Sequence, residues 1–594
     1  MRPERAIHIL VLGLILFASL KVWDSDSSRK ILIASDGKGY YAYLPAIFIY
    51  NDLSFNFIDD YEAKYYPGQP PVQFYLETES GRVNKYYCGV ALLMLPFFLI
   101  AHLLSIIGGL DTGGYSAIYQ IAIALGTLTY LYLGLLILSS FMNKLGLKSW
   151  AITASLLLIA LGTNLFYYAT IEVSMSHVYS FFGVSLFMLA TQSAAKQKRV
   201  TIAMAMSFGL ILLIRPTNVL AIMLLPFLAG SWGSFSIWIQ AVFKQFGKAI
   251  IPILLGVSVI GIQLLIYKIQ TGNWIVFSYG GEGFDFSDPE VFNVLLSFRK
   301  GWFIYTPLAF VAMFGMVRLF RQNIAMGTSV SAYLIASTYL ISSWWDWSYG
   351  GSFGHRAFID TYPIIAVLLG VLLSAQSTWL VIGVSALSFG VFMPLNLIQT
   401  FQYRTGILPM DGTTESWYKT VFLKSDMYLV GQFDRLNAPK QVILEARCFQ
   451  HNMEEIKGWG NETQLTREMA HHGSGSAYMG ENETYGVTFN STLENLAVDS
   501  ANSITFKGWV NSEGTGTKAL IVLNVADSAG NSIAWEAYPI VVQVNRSDEW
   551  IFVENTWSIP LISDAGTVIS TYLMKEGGPS LYHDDMEICL GITE

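Results

Sequence analysis

The sequence predicts a mainly α-helical, polytopic membrane protein of about eleven transmembrane helices, followed by a C-terminal all-β sandwich of jelly-roll type. Three observations lead there. Of 594 residues, 53% are hydrophobic and only 13% charged, with a mean hydropathy of +0.45, which leaves too little polar surface to cover an array of soluble domains. Apolar stretches long enough to cross roughly 30 Å of hydrocarbon recur from residue 6 to about residue 396. Beyond about residue 400 the chain turns polar, and short alternating segments begin near 440. The expected organisation is a transmembrane domain over 1–400, a linker over 401–439 and a β-sandwich outside the cytoplasm over 440–594.

The spans fall near 6–23, 115–141, 150–168, 176–193, 200–214, 217–232, 249–268, 301–320, 325–343, 357–374 and 377–396. Arg2 and Arg5 place the N-terminus in the cytoplasm, and the first span, lacking a small-residue cleavage site, reads as an anchor. The stretch 86–107 is decided by parity. If it crossed, Lys144 and Lys148, then Lys196, Lys198 and Arg199, then Lys244 and Lys248, and finally Arg318 and Arg321 would all face outward. If it does not cross, all four clusters face the cytoplasm. The second arrangement is expected, with 86–107, which contains Pro96 and His102, as an interfacial or re-entrant hairpin.

That topology gathers the outer polar material into a first loop over about 24–114, a turn from Glu172 to His177, a loop over about 269–300, a turn from Trp344 to Arg356, and everything after about 397. The span centres hold almost no ionisable residues, unlike those of ion-coupled carriers. A net charge of −8 with no basic face excludes a nucleic-acid partner. Of the three cysteines, Cys448 and Cys589 either pair outside the cytoplasm or remain buried thiols, and no metal-ligand spacing is present.

Candidate site residues lie in the outer pieces. In "SDGKGYYAYLPA" the glycines permit a sharp turn, and Asp36 either caps the helix near Tyr40 or presents its carboxylate at the membrane surface above an interfacial aromatic stretch. Asp24 and Asp26 spell D-x-D, but directly after a span a solvated loop is the plainer reading. Glu172 and His177 in the short outer turn suit a sugar hydroxyl or phosphate, or are simply polar helix ends. Arg215, before Pro216, meets a lipid phosphate or snorkels to the headgroups. "SFRKGWFIYTP" sets Arg299 and Lys300 at an outward span mouth against the usual charge bias, which a bound phosphate would explain. "SSWWDWSYGGSFGHRAF" supplies Trp345 and Asp346 for a substrate, or for an aromatic girdle, and puts the cations His355 and Arg356 at a helix start.

Taken together, these pieces resemble the GT-C superfamily of polytopic membrane glycosyltransferases, which includes protein O-mannosyltransferases, oligosaccharyltransferases and lipid A aminoarabinose transferases. The likeness covers roughly residues 30 to 400. A closer one is to bacterial membrane proteins carrying "DGxGYYAYLPA", "RKGWFxYTP" and "WWxWxYGGSFGxR". The resemblance implies that Asp36 is the catalytic acid of the first loop and that the donor is a polyprenyl-phosphate-linked sugar. The acceptor is a hydroxyl of a glycan, lipid or protein. Arg299, Lys300, His355, Arg356 and Arg215 would hold the donor phosphate, with Tyr40, Glu172, His177, Trp345 and Asp346 at the substrate. The chain departs from the metal-dependent members in lacking a second acidic metal motif, so a metal-free, inverting displacement with Asp36 as general base is expected, and no cofactor. The expected location is the bacterial inner membrane, with the active face and C-terminal domain periplasmic. Two other functions compete: a lipid-linked sugar flippase, and a non-catalytic anchor for a carbohydrate-binding domain.

In the C-terminal region "SITFKGWV", "ALIVLNV" and "TVISTYLM" read as strands, "ADSAGNS" as a hairpin turn, and "SLYHDDMEICLG" as the closing strand. A sandwich of this kind serves either sugar recognition or a structural role.

Overall fold

The computed structural model describes residues 3–24, 31–67, 74–78, 81–437, 443–514, 517–540 and 549–593. It divides into two units, Met1–Arg404 with Met410–Glu415, and Thr405–Pro409 with Ser416–Glu594. The first opens with α1 (Pro3–Asp24), α2 (Gly37–Pro45), α3 (Ile58–Tyr65), the strands β1 (Tyr75–Thr78) and β2 (Gly81–Asn84), and α4 (Gly89–Ile107). There follow α5 (Ala117–Lys144), α6 (Ser149–Leu161), α7 (Leu165–Thr170), α8 (Ser176–Lys196) and α9 (Ile202–Ile214). Asp24 ends α1, and Asp26 lies outside the described residues.

Among the described residues seven helices are long and apolar enough to cross a membrane, or eight if the pair Pro216–Ala229 and Trp232–Lys244, bent by 111°, counts as one. Several of the eleven expected apolar runs are broken. Pro216 starts a 3-10 segment, and Pro307 separates Trp302–Tyr305 from Pro307–Gln322. Gly162 closes α6 after 13 residues.

The stretch 86–107 is not a hairpin: α4 is one helix with Pro96 inside it. Both ends of α4 are nevertheless gripped by the first loop. Before it, the Tyr43 hydroxyl donates to Tyr86 O at 2.6 Å. After it, the Tyr50 hydroxyl donates to Gly113 O at 3.0 Å, and that of Tyr65 reaches Asp111 at 2.8 Å. Along its length α4 pairs with the first half of α5, where the Tyr130 hydroxyl donates to Leu93 O at 2.8 Å and His102 meets the Tyr119 hydroxyl at 2.7 Å.

Lysines and site residues sit at opposite ends of the same helices. Glu172 precedes α8 and His177 lies in its first turn, with Lys196 at its far end, about 29 Å from His177. Likewise Arg199 precedes α9 and Arg215 follows it, while Lys248 opens the helix Phe246–Thr271, whose far end leads into the 272–301 loop.

The region 401–439, expected as a linker, is described through residue 437. It holds the end of Met393–Thr405 and the short helices Glu415–Val421 and Gln432–Asn437. Its polar composition hides an apolar face, for Trp417, Tyr418, Val421 and Phe433 are buried.

The second unit is a two-sheet β-sandwich. Its strands are β3 (Ile443–His451), β4 (Leu465–Thr466), β5 (Ser476–Met479), β6 (Tyr485–Thr492), β7 (Ala501–Ser512), β8 (Lys518–Ala526), β9 (Ser532–Pro539), β10 (Ile551–Ile562), β11 (Val568–Gly577) and β12 (Leu581–Thr593). One sheet runs β10-β7-β12-β5-β4, with β3 also on β12, and the other β6-β11-β8-β9. Alternation buries Ile504, Phe506, Val510, Ile521, Leu523, Val525, Ile588 and Leu590 between them. The sequence "ADSAGNS" turns β8 into β9 with Asp527 Oδ1 accepting from Asn531 N at 2.7 Å. Cys448 and Cys589 face each other across β3 and β12 and form a disulfide.

Candidate active site

The Asp36 turn owes its shape to what packs against it. Ser35 has φ +50, the left-handed step. Neither Gly37 nor Gly39 takes a positive φ; both are small because neighbours come close. A Cβ on Gly37 would lie 1.9 Å from Ser174 Oγ, and one on Gly39 would lie 2.5 Å from the Tyr86 ring. The glycines therefore press the Asp36 turn against the Glu172–Ser176 turn on one side and the end of the β1–β2 hairpin on the other.

The α2 helix is not an interfacial one: all nine of its residues are buried. Its tyrosines point into protein, with Tyr40 against Tyr86 at 4.5 Å and Tyr41 against Phe98 at 5.9 Å. Lys38, only 2% exposed, donates to both Glu62 carboxylate oxygens at 2.8 and 2.9 Å and lies 3.7 Å from the Tyr66 ring centre. Asp36 is positioned by these contacts and not by lipid.

The Asp36 side chain caps no helix N–H. It pairs instead with Arg356, Nη2 to Oδ2 at 2.9 Å, the two side chains being 28% and 14% exposed. Arg356 opens a 3-10 turn (Arg356–Thr361), and Asp360, in the same turn, pairs with Arg215 Nη1 at 3.1 Å. Two ion pairs thus share one turn. The Tyr40 phenol lies within electrostatic reach of Arg215, Asp36 and Arg356 together and bonds to Ser176.

Glu172 and His177 close the same site. Tyr167 donates to Glu172 Oε1 at 3.2 Å, whereas Oε2 is shut off from solvent and has no partner among the described residues. His177, 2% exposed, has neither ring nitrogen partnered; its ring lies edge-on to Tyr168 at 4.6 Å. Asp360 Oδ1 is also buried, with no partner placed on it among the described residues. Buried polar atoms of this kind are costly unless something binds them.

Burial pushes the Glu172 carboxyl up to about 7, against the pull of the Arg356 guanidinium and with the Asp36 carboxylate adding to the rise. A carboxyl raised in the folded state favours its protonated form. Its stabilising share is complete below the ordinary value of 4.5 and is lost as pH rises through about 7. Glu172→Gln, which copies the neutral form, should leave the Tm near the parent's at pH 5 and above it at pH 8. A Tm difference that does not change with pH would show that this carboxyl is not the one titrating.

The remaining expected cations are engaged by the chain itself. Arg299 forms a two-pronged pair with Asp411, Nε to Oδ1 at 2.8 Å and Nη2 to Oδ2 at 2.6 Å. Lys300 is 2% exposed, donates to Ser352 O and Met410 O, and sits 5.2 Å from the Tyr403 ring centre. Burial pushes its ammonium down to about 7. His355 Nε2 meets Trp347 O at 3.0 Å, and burial pushes the ring down to about 3, leaving it neutral near pH 7. Of the five expected phosphate-holding cations, Arg356 and Arg215 stand at Asp36 and Arg299 is taken by Asp411. Lys300 and His355 bond to the 346–355 loop, and Lys300 stays within electrostatic reach of Arg356 and Glu172. In that loop Asp346 Oδ1 accepts from Ser348 N at 3.1 Å and Ser348 Oγ at 2.6 Å. Trp345 stands 61% exposed.

Sequence reasoning passed over Asp360, Lys38, Glu62, Tyr86, Tyr279 and Asp411. Asp360 carried a signal: an acid in the apolar run "RAFIDTYPII" demands a cation. Lys38, in the middle of the quoted turn, carried another. Asp411, more than a hundred residues from Arg299, carried none.

Below Arg215 an apolar groove of about 330 Å³ follows α9, lined by Phe187, Met204, Phe208, Leu212, Ile222 and Ile253.

Neither protein-family models nor curated proteins yield a match to this chain. Among solved structures, the archaeal oligosaccharyltransferase AglB from Archaeoglobus fulgidus, in complex with an inhibitory peptide and a dolichol-phosphate, is 12% identical. The match covers 74% of this chain and 59% of that one with a TM-score of 0.40. The apo form of the A. fulgidus oligosaccharyltransferase is 11% identical over 70% and 58%, with a TM-score of 0.38. A xylan-binding domain of Paenibacillus barcinonensis Xyn10C is 19% identical over 26% of this chain and 99% of its own, with a TM-score of 0.19.

Proposed function

We propose that this chain is a membrane glycosyltransferase of GT-C type that moves a sugar from a polyprenyl-phosphate donor to a hydroxyl acceptor outside the cytoplasm. The observation that carries the reading is the Asp36 carboxylate, free of any cap bond and paired to Arg356 where Arg215, Glu172 and His177 converge. A fixed acid beside two guanidiniums is what transfer from a phosphate needs: a base for the incoming hydroxyl and cations for the outgoing oxyanion.

In this reading the donor phosphate enters between Arg356 and Arg215 and draws Arg356 from Asp36. Asp36 takes the proton of the acceptor hydroxyl as that oxygen bonds to the anomeric carbon. The bond from anomeric carbon to phosphate oxygen breaks, and the electron pair leaves on the lipid phosphate, held by the two guanidiniums. One displacement inverts the anomeric centre. His177 and Glu172, with their unpartnered polar atoms, meet sugar hydroxyls, and the groove along α9 accommodates the prenyl chain. The purified protein should convert a polyprenyl-phosphate sugar to polyprenyl phosphate when acceptor is present. A parent protein that discharges no such donor would contradict the reading.

The reaction is proposed to need no metal. Prolonged EDTA treatment should leave the rate within about twofold of the untreated protein's; loss restored by Mg²⁺ or Mn²⁺ would overturn this. The site is further proposed to face the periplasm of a bacterial inner membrane. The lysine-bearing ends of α5 and α8 then face the cytoplasm, in keeping with the charge bias. A reporter fused after Lys148 or Lys198 should read cytoplasmic and one fused after residue 594 periplasmic. A periplasmic signal at Lys148 would reverse the orientation.

A further inference from the structure

A groove of about 380 Å³ opens beside the Asp36 site, lined by Tyr75, Leu76, Lys85, the Tyr279–Glu282 segment and Trp345. It is a built feature. Trp345 N donates to Gly283 O at 2.9 Å, Phe284 bridges to Trp344, and Asp285 N donates to Ser343 O at 2.6 Å, so two distant loops are stitched into one wall. The Trp345 indole stands out from that anchored backbone, 61% exposed. Across from it, Lys85 is fixed by its backbone, its N–H donating to Phe74 O at 2.9 Å and its carbonyl accepting from Ser278 Oγ at the same distance. Its ammonium pairs with Glu282 at 2.7 Å. Gly281 and Gly283 have nothing within 4 Å of an added Cβ. The floor of the groove at Gly281 is therefore open.

The inner wall of the groove continues toward the Asp36 turn as packed rings: Tyr279 packs against Trp344 at 5.6 Å and Tyr86 at 6.3 Å, and Tyr86 packs against Tyr40 at 4.5 Å. Tyr279 lies within electrostatic reach of both Asp36 and Arg215. The groove is therefore a neighbour of the Asp36 site.

We infer that this groove is the acceptor subsite and that the acceptor lays a neutral saccharide ring in it. An exposed indole offers a flat apolar face to the C–H face of a pyranose. A paired ammonium and carboxylate offer donors and acceptors to ring hydroxyls without a net charge that would select an ion. The inference rests on the proposed transfer chemistry, naming the class of acceptor, but its binding step can be read without turnover.

The experiment is saturation-transfer NMR on the full-length protein in lipid nanodiscs. The probes are the methyl glycosides of glucose, mannose, galactose and N-acetylglucosamine, set beside an N-acetylated Ser/Thr peptide amide. At least one glycoside should show transfer that falls tenfold or more in Trp345→Ala and in Glu282→Gln, and that survives in Asp36→Asn. Gly281→Leu, which fills the open floor, should block it equally, and its unchanged Tm would rule out misfolding. Silence from every glycoside, a signal unaffected by Trp345→Ala and Gly281→Leu, or a response confined to the peptide would overturn the inference. Glycoside binding with no donor discharge by the parent protein would leave the groove standing and sink the transferase reading instead.

Discussion

Asp36→Asn is expected to lower transfer by roughly 10²–10⁴-fold, the range for a lost general base, while donor binding persists. The amide keeps the size of the carboxylate and can still accept a hydrogen bond from Arg356, but it cannot take a proton. A helix-cap role would survive the exchange, and the structure gives Asp36 no cap bond to lose. The 28% exposure of the side chain keeps the folding cost below that of breaking a fully buried pair. A Tm close to the parent's with no transfer is therefore the expected combination. Near-parental transfer would make Asp36 the positioner of Arg356 and move the search for the base to Glu172, whose Oε2 stands unpartnered beside it.

Arg356→Ala should reduce donor discharge by about 10²–10³-fold, the size of effect seen when one preorganised donor to a developing oxyanion is removed. Arg356→Lys should recover only part of this, because an ammonium is a point charge and cannot span Asp36 in the resting site and two phosphate oxygens in the reacting one. The contrast with Arg299→Ala is the useful control. Arg299 is 38% exposed and already paired with Asp411, so its loss should cost about 0.2–1 kcal/mol of stability and little donor affinity. Equal losses in the two alanine variants would restore the single phosphate cluster expected from sequence.

The class of the molecule was legible because it rests on period and composition. Apolar runs and the alternation of "SITFKGWV" and "ALIVLNV" each express a local rule; the strands formed over the alternating segments, while several apolar runs are broken into shorter helices. Asp36 was legible because its turn is a dense local motif, although the reason for its glycines was not. Their function is close approach to Ser174 and Tyr86, partners more than forty residues away that no local rule could supply. The cations were misgrouped for the same reason. Arg299 and Lys300 look free in a sequence, and only the return of the chain through Met410 and Asp411 shows that they are taken. The hairpin at 86–107 was drawn from Pro96 and parity. The proline did not break the helix, and α4 is itself long and apolar enough to cross a membrane.

The most direct test of the account follows the donor itself. Purified parent and Asp36→Asn proteins, reconstituted in nanodiscs with a radiolabelled polyprenyl-phosphate sugar and total cell-envelope acceptor, are compared for release of polyprenyl phosphate and for equilibrium binding of the donor. The account predicts release by the parent, binding of equal strength by both, and release by the Asn variant at least a hundredfold slower, within the range for removal of a general base. Equal release by the two proteins, or binding without release by the parent, would contradict it.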